Sequence, residues 1–174
     1  LQEFLSIAKT DEISTEEKNI YQVFKNVVSL MNTKAIMTNI QVELFADSDE
    51  LAIECSENQL KQVFINILQN SIEAMPDGGK ISIHMKEINE DGVIIAVVDE
   101  GIGIPEERIK RLGEPFYSTK EKGTGIGLML SYKIVESHQG TISIMSDVGV
   151  GTTVTIFLPK IQSANINPRV RLDV

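Results

Sequence analysis

Apolar residues recur along this chain in two rhythms, one near four residues and one of two. The switches between these rhythms mark out the elements. The most regular stretch is ENQLKQVFINILQNSIEAM. At 100° per residue, Leu60, Val63, Phe64, Ile67, Ile72 and Met75 fall on one broad face, and Gln62, Asn66, Asn70 and Glu73 form a narrow polar stripe opposite. Pro76-Asp77-Gly78-Gly79 ends that helix. An earlier helix is marked by Ile20, Val23, Phe24, Val27 and Met31, with Ser14 and Glu17 at capping-box spacing ahead of it. A third runs from about Leu128 to His138. A short one starts at Pro105, Glu106 and Glu107 and ends in basic residues and Gly113.

Period-two segments fill the gaps. Ile40, Val42 and Leu44 predict a strand, and Leu51–Cys55 predicts its partner after a turn at Asp47–Glu50. Strands at Ile81–Lys86 and Val93–Val98 are joined through Asp91-Gly92, a hairpin signal. The second is apolar on both faces, as expected of a central buried strand. Thr141–Ser146 and Thr152–Leu158 form a closing hairpin around DVGVG. The pattern predicts an α/β (α+β) two-layer sandwich, with about three main helices on one face of a mixed, largely antiparallel sheet of about five strands. No internal repeat is present.

Composition narrows the function classes. A chain of 174 residues can bury an ordinary core. No apolar run approaches the roughly 20 residues that span a bilayer, and no signal peptide opens the chain. A single cysteine, Cys55, cannot form an internal disulfide, and its alternating apolar setting makes it a small core residue in a reducing, cytoplasmic compartment. A net charge of −9 with no basic stripe argues against nucleic acid as a partner. Recognition of a polyanion would then need backbone amides, a helix terminus or a metal ion.

Three stretches carry chemistry. Asn66 and Asn70 stand one turn apart, so their amides project the same way. They read equally well as a solvated face or as oxygen ligands for Mg²⁺. In VVDEGIGIP a buried strand ends at Asp99, and Gly101 and Gly103 follow. This is either a capped strand-to-helix turn or a carboxylate fixed beside open backbone for a planar ligand bearing an exocyclic amine. In EPFYSTKEKGTGIGLML, Gly123, Gly125 and Gly127 lead directly into a helix, whose free N–H groups and dipole favour phosphate. Thr119, Lys120 and Lys122 just upstream have the look of a cationic lid, although plain flexibility is the commoner meaning of such glycines. Neither the GxxxxGK[ST] loop nor the GxGxxG fingerprint occurs. His84 is expected on an exposed strand face, and His138 as a cation at a helix end. No triad or Cys/His metal cluster is evident.

Taken in order, these segments resemble the catalytic, ATP-binding domain of bacterial sensor histidine kinases, in the superfamily with DNA gyrase, MutL and Hsp90. QVFINILQNSIEAM is similar to the N box, DEGIGIP to the first glycine box, EPFYSTK to the F box, GTGIGL to the second glycine box, and GVGTTVTIFLP to the final strand motif. The lid wording is similar to that of sporulation-type kinases of spore-forming bacteria. The resemblance covers roughly residues 14–160 and implies the Bergerat-type ATP-binding fold.

It also implies roles. Asn70, supported by Asn66, would hold Mg²⁺ bridging the ATP phosphates. Asp99 would bind the adenine amine, with Gly101, Gly103, Ile104, Ala74 and Thr152 shaping its pocket. Phe116, Thr119 and Lys120 would belong to the lid, with Lys120 facing the phosphates. Gly123, Thr124, Gly125, Gly127 and Leu128 would bring backbone amides to the phosphates. Glu73 stands where many histidine kinases carry Lys, which shifts weight to Lys120 or Lys122. Hydrolytic members carry a glutamate where this chain has Asn66, which argues for phosphoryl transfer to a protein over ATP hydrolysis.

The organisation expected on this basis is the end of an upstream dimerisation helix at 1–11, the kinase domain at 12–160, and a tail at 161–174 outside the fold. No H-E-x-x-[NR]-P phosphoacceptor motif occurs. The fragment is therefore expected to need a histidine-bearing dimerisation domain and, beyond it, a response regulator, with no nucleic acid and no membrane contact of its own. The full-length protein is left open to a membrane anchor. The rival readings are an anti-sigma-factor-like serine kinase, a nucleotide-binding module without transfer, and a purely structural interaction domain. The last would leave the glycine lid unexplained.

Overall fold

The computed structural model describes residues 14–114 and 126–160. Residues 1–13, 115–125 and 161–174 lie outside the described residues, and with them Phe116, Thr119, Lys120, Lys122, Gly123, Thr124 and Gly125. The described elements run β1 (Glu16–Asn19), α1 (Ile20–Met37), β2 (Ile40–Ala46), β3 (Ala52–Cys55), α2 (Glu57–Glu73), β4 (Gly79–Ile88), β5 (Gly92–Asp99), α3 (Glu106–Ile109), α4 (Ile126–Ser137), β6 (Thr141–Asp147) and β7 (Gly151–Pro159).

Five strands form one sheet in the order β2-β4-β5-β7-β6, and β1 and β3 make a separate two-stranded ribbon. Only β2 and β4 pair in parallel within the larger sheet, in register Ile40↔Gly79 through Ala46↔Met85. β5 is the central strand, as its apolar run predicts. Its inner residues Val93, Ile95 and Val97 are fully buried beneath the helices. Its outer residues Ile94, Ala96 and Val98 are only half-buried, because among the described residues no helix covers that face. His84 is exposed on the same outer face, as expected, and stacks on Phe45 with ring centroids 5.1 Å apart.

The core fills the space between the inner sheet face and α1, α2 and α4. Phe24 of α1 stacks on Phe64 of α2 at 4.3 Å between centroids, joining the two predicted apolar stripes. Cys55 is buried as expected, and burial, with Glu57 nearby, pushes its thiol up to about 11. Buried thiols of this kind are inert at neutral pH.

Two local expectations fail. The capping box at Ser14 and Glu17 does not form. Residues Glu16–Asn19 pair with β3 instead, and α1 starts at Ile20 with Asn19 as its cap, accepting from Tyr21 N–H at 3.2 Å. Asn19 also accepts from Leu51 N–H at 3.1 Å and donates to the Asp49 carbonyl at 2.7 Å. These tertiary bonds outweigh the local capping signal. Likewise β3 is not the partner of β2. Its register is Glu16↔Cys55 with β1, while β2 joins β4 across α2. Alternation assigns faces to a strand but does not choose its neighbour.

Candidate functional site

β5 delivers Asp99 inward at the sheet end, with its side chain 5% exposed. Its Oδ1 accepts from Gly101 N–H at 2.9 Å and from Thr152 N–H at 3.2 Å, and the Ser71 hydroxyl also hydrogen-bonds it. Burial raises the carboxyl above its ordinary range, while the bonds from Gly101, Ser71 and Thr152 pull it back down. The result is an immobile carboxylate with strong acceptor character in a low-dielectric setting.

The surrounding backbone leaves no room for variation. A Cβ on Gly101 would lie 2.6 Å from the Ala74 Cβ at the end of α2, and Ile102 N–H donates to the Ala74 carbonyl at 3.0 Å. Gly103 has φ +73°, and a Cβ there would lie 2.2 Å from the Asp147 carbonyl oxygen. Ile104 N–H donates to Ser146 Oγ at 2.8 Å, and Ser146 Oγ in turn bonds Thr152 Oγ1 at 2.8 Å and the Gly151 carbonyl at 2.9 Å. The loop after β5 is thereby fastened to the β6–β7 hairpin. The predicted residues Ala74, Asp99, Gly101, Gly103, Ile104 and Thr152 converge at this end. Ser71 and Ser146 were missed. Ser71 was visible as the lone polar position on the buried face of α2, between Leu68 and Ile72. Ser146 carried no sequence signal beyond its place in the strand.

The second candidate region is built from α2 and the first turn of α4. Asn70 is exposed and Asn66 half-buried. Asn66 Nδ2 donates to the Gly127 carbonyl at 3.1 Å and approaches Ser131 Oγ at 3.4 Å. Ser131 is fully buried and donates to the same carbonyl at 2.9 Å, a contact that sequence reasoning missed. Glu73 accepts from Gln69 Nε2 at 2.9 Å, an i,i+4 pair. Gly127 and Leu128 are half-buried on α4. Among the described residues no group of three His, Cys, Asp or Glu could hold a metal. A cation held here would rely on amide oxygens, phosphates and water. That donor set suits Mg²⁺, which retains waters and shares phosphate oxygens.

His138 departs from its predicted role as a helix-end cation. It is fully buried, its Nδ1 bonds the Ile134 carbonyl at 2.8 Å, and its Nε2 accepts from Ser56 N–H at 3.0 Å. That acceptor role requires the neutral ring. Burial lowers its pKa, more than the bond to the Ile134 carbonyl raises it. It joins the end of α4 to the start of α2.

Residues 55–162 match the family described as histidine kinase-, DNA gyrase B-, and HSP90-like ATPase. Sporulation kinase E of Bacillus subtilis (strain 168) is 52% identical over 93% of this chain, and sporulation kinase C of the same organism is 44% identical over 91%. The matched segment spans 22% and 37% of those proteins, so the chain corresponds to a minor part of each. Among solved structures, the catalytic domain of histidine kinase ThkA superposes with a TM-score of 0.78 at 32% identity, covering 85% of this chain and 97% of that one. ThkA in complex with the response regulator protein TrrA gives 0.79 at 29% identity, covering 92% of this chain and 46% of that one. The motifs, the mixed five-stranded sheet and these likenesses agree, and the chain belongs to the histidine kinase-, DNA gyrase B-, and HSP90-like ATPase family.

Proposed function

We propose that this domain binds Mg–ATP between Asp99 and the α2–α4 junction and transfers the γ-phosphoryl group to a histidine on a dimerisation domain, from which it passes to a response-regulator aspartate. The observation that carries the reading is Asp99, a buried carboxylate locked by three hydrogen bonds beside a loop whose glycines keep side chains away. A planar base with an exocyclic amine can approach such backbone closely, and the carboxylate supplies its acceptor.

Asn70 is the metal ligand in this reading, and Mg²⁺, when bound, neutralises phosphate charge and orients the γ-phosphoryl group. Lys120 would add a cation, and Gly123, Thr124, Gly125, Gly127 and Leu128 would add backbone donors. Asn66 cannot accept a proton from water as a carboxylate would. This favours a protein nucleophile brought by a partner over water as the acceptor. The likeness to ThkA, a histidine kinase seen in complex with a response regulator, favours a histidine acceptor over serine.

The test is to mix the domain with γ-labelled ATP, Mg²⁺ and a separately produced histidine-bearing dimerisation domain. Acid-labile, base-stable label on that domain is expected. Acid-stable label would favour a serine kinase. Release as free phosphate would favour an ATPase, and nucleotide binding without any label would favour a regulatory module.

A further inference from the structure

We propose that Asn66 is a positioning residue that acts on the nucleotide phosphates through helix α4, and is not itself a metal ligand. The inference rests on the proposed reading of these residues as a Mg–ATP site. The Gly127 carbonyl can only accept, so the arm of the Asn66 amide that faces it at 3.1 Å must be the NH₂ group. An amide nitrogen has no lone pair to offer a cation, and it is through this nitrogen that Asn66 is engaged with α4. Ser131 Oγ completes a triangle, donating to the Gly127 carbonyl at 2.9 Å and lying 3.4 Å from Asn66 Nδ2. Ser131 is fully buried, so its hydroxyl has no ready water partner if these bonds are lost.

The location of the triangle gives it a consequence. Gly127 C=O and Leu128 N–H belong to one peptide unit, and Leu128 lies in the first turn of α4, where N–H groups have no partner inside the helix. Donors gathered on the carbonyl polarise that peptide and strengthen its N–H as a donor. They also hold the first turn at a set distance from α2, which carries Asn70 one turn further along. Asn66 thus couples the residue proposed to hold the metal to the amides proposed to meet phosphate. Gly127 has space to spare on this side: a Cβ there would meet Asn66 at ordinary contact distance, 3.6 Å. The hydrogen bond, not steric fit, sets the spacing.

The test compares wild type, Asn66→Ala, Ser131→Ala and the double variant by calorimetry with Mg–ATP, with ATP in EDTA, and with adenosine. Amide exchange of residues 127–131 is followed in the nucleotide-free proteins, and thermal melts confirm folding. Asn66→Ala is expected to weaken ATP about tenfold, the size of one hydrogen bond's contribution, with and without Mg²⁺. Adenosine affinity stays unchanged. The double variant loses less than the product of the single losses, and exchange in the first turn accelerates. A loss that appears only with Mg²⁺ and multiplies fully with that of Ser131→Ala would overturn the inference in favour of a metal ligand. Unchanged exchange would also overturn it. If wild type takes no ATP at all, the functional reading falls and this inference with it. If wild type binds and Asn66→Ala binds equally well, only the inference falls.

Discussion

The Asp99 region and the α2–α4 contact are built on opposite principles. At the Asp99 end, a buried carboxylate, three donors and close backbone approaches over-determine the geometry. At the α2–α4 end, half-buried Asn66 and Gly127 meet through a few hydrogen bonds, and a Cβ on Gly127 would make only ordinary contact with Asn66. Reading a rigid base favours a rigid receptor. Phosphates that must be reached, transferred and released favour an end that can shift. Stability and function should therefore separate differently at the two ends.

The largest effect is expected from backbone clash at the rigid end. Gly151 has φ +145°, and a Cβ there would lie 1.9 Å from the Asp99 carbonyl oxygen. Gly151→Ala should cost about 3 kcal/mol or more in urea unfolding. Gly127→Ala should do the opposite, gaining up to about 1 kcal/mol from helix propensity. Equal losses at both positions would erase the contrast.

Next is Ser71→Ala, expected to cost about 1 kcal/mol. It should also move the pH dependence of ATP binding. The Ser71 bond lowers the Asp99 pKa, so its loss raises that pKa further. If Asp99 binds the base as proposed, binding needs its carboxylate, and on acidification the variant should lose affinity at a higher pH than wild type. An unmoved profile would separate Ser71 from Asp99.

The smallest effect concerns His138. Its folded pKa lies below the ordinary 6.5, so the unfolded chain takes up more protons in the window between the two values. Its contribution is fully present above about pH 6.5 and is lost as pH falls through the window towards the depressed folded value. Urea midpoints should decline over that range in wild type and less in His138→Gln.

The parts of this architecture legible in the sequence are those where chemistry permits few residue types. Asp99 ends an apolar strand and is followed by glycines at 101 and 103, where a side chain would strike Ala74 or Asp147. The stripe of Asn66 and Asn70 stood out because asparagine is a poor choice for a merely solvated helix face. Tertiary decisions were not legible. Ser14 and Glu17 have capping spacing, yet the pairing of β1 with β3 and the bonds made by Asn19 moved the helix start. His138 at a helix end invites a dipole argument, and only the fold reveals the buried Ser56 N–H that it accepts. The contacts of Asn66 Nδ2 with Gly127 and Ser131 are equally a product of the fold, since they join positions 61 and 65 residues apart in sequence.

The most direct test of the account is a calorimetric titration of Mg–ATP into wild type and Asp99→Asn, with melting temperatures taken on the same samples. The variant removes a charge whose burial is costly while keeping an oxygen for Gly101 and Thr152. Asp99→Asn is expected to melt at or about 2 °C above wild type while losing ATP affinity about a hundredfold or more. A variant that binds ATP as wild type does, or that loses binding only because it unfolds, would contradict it.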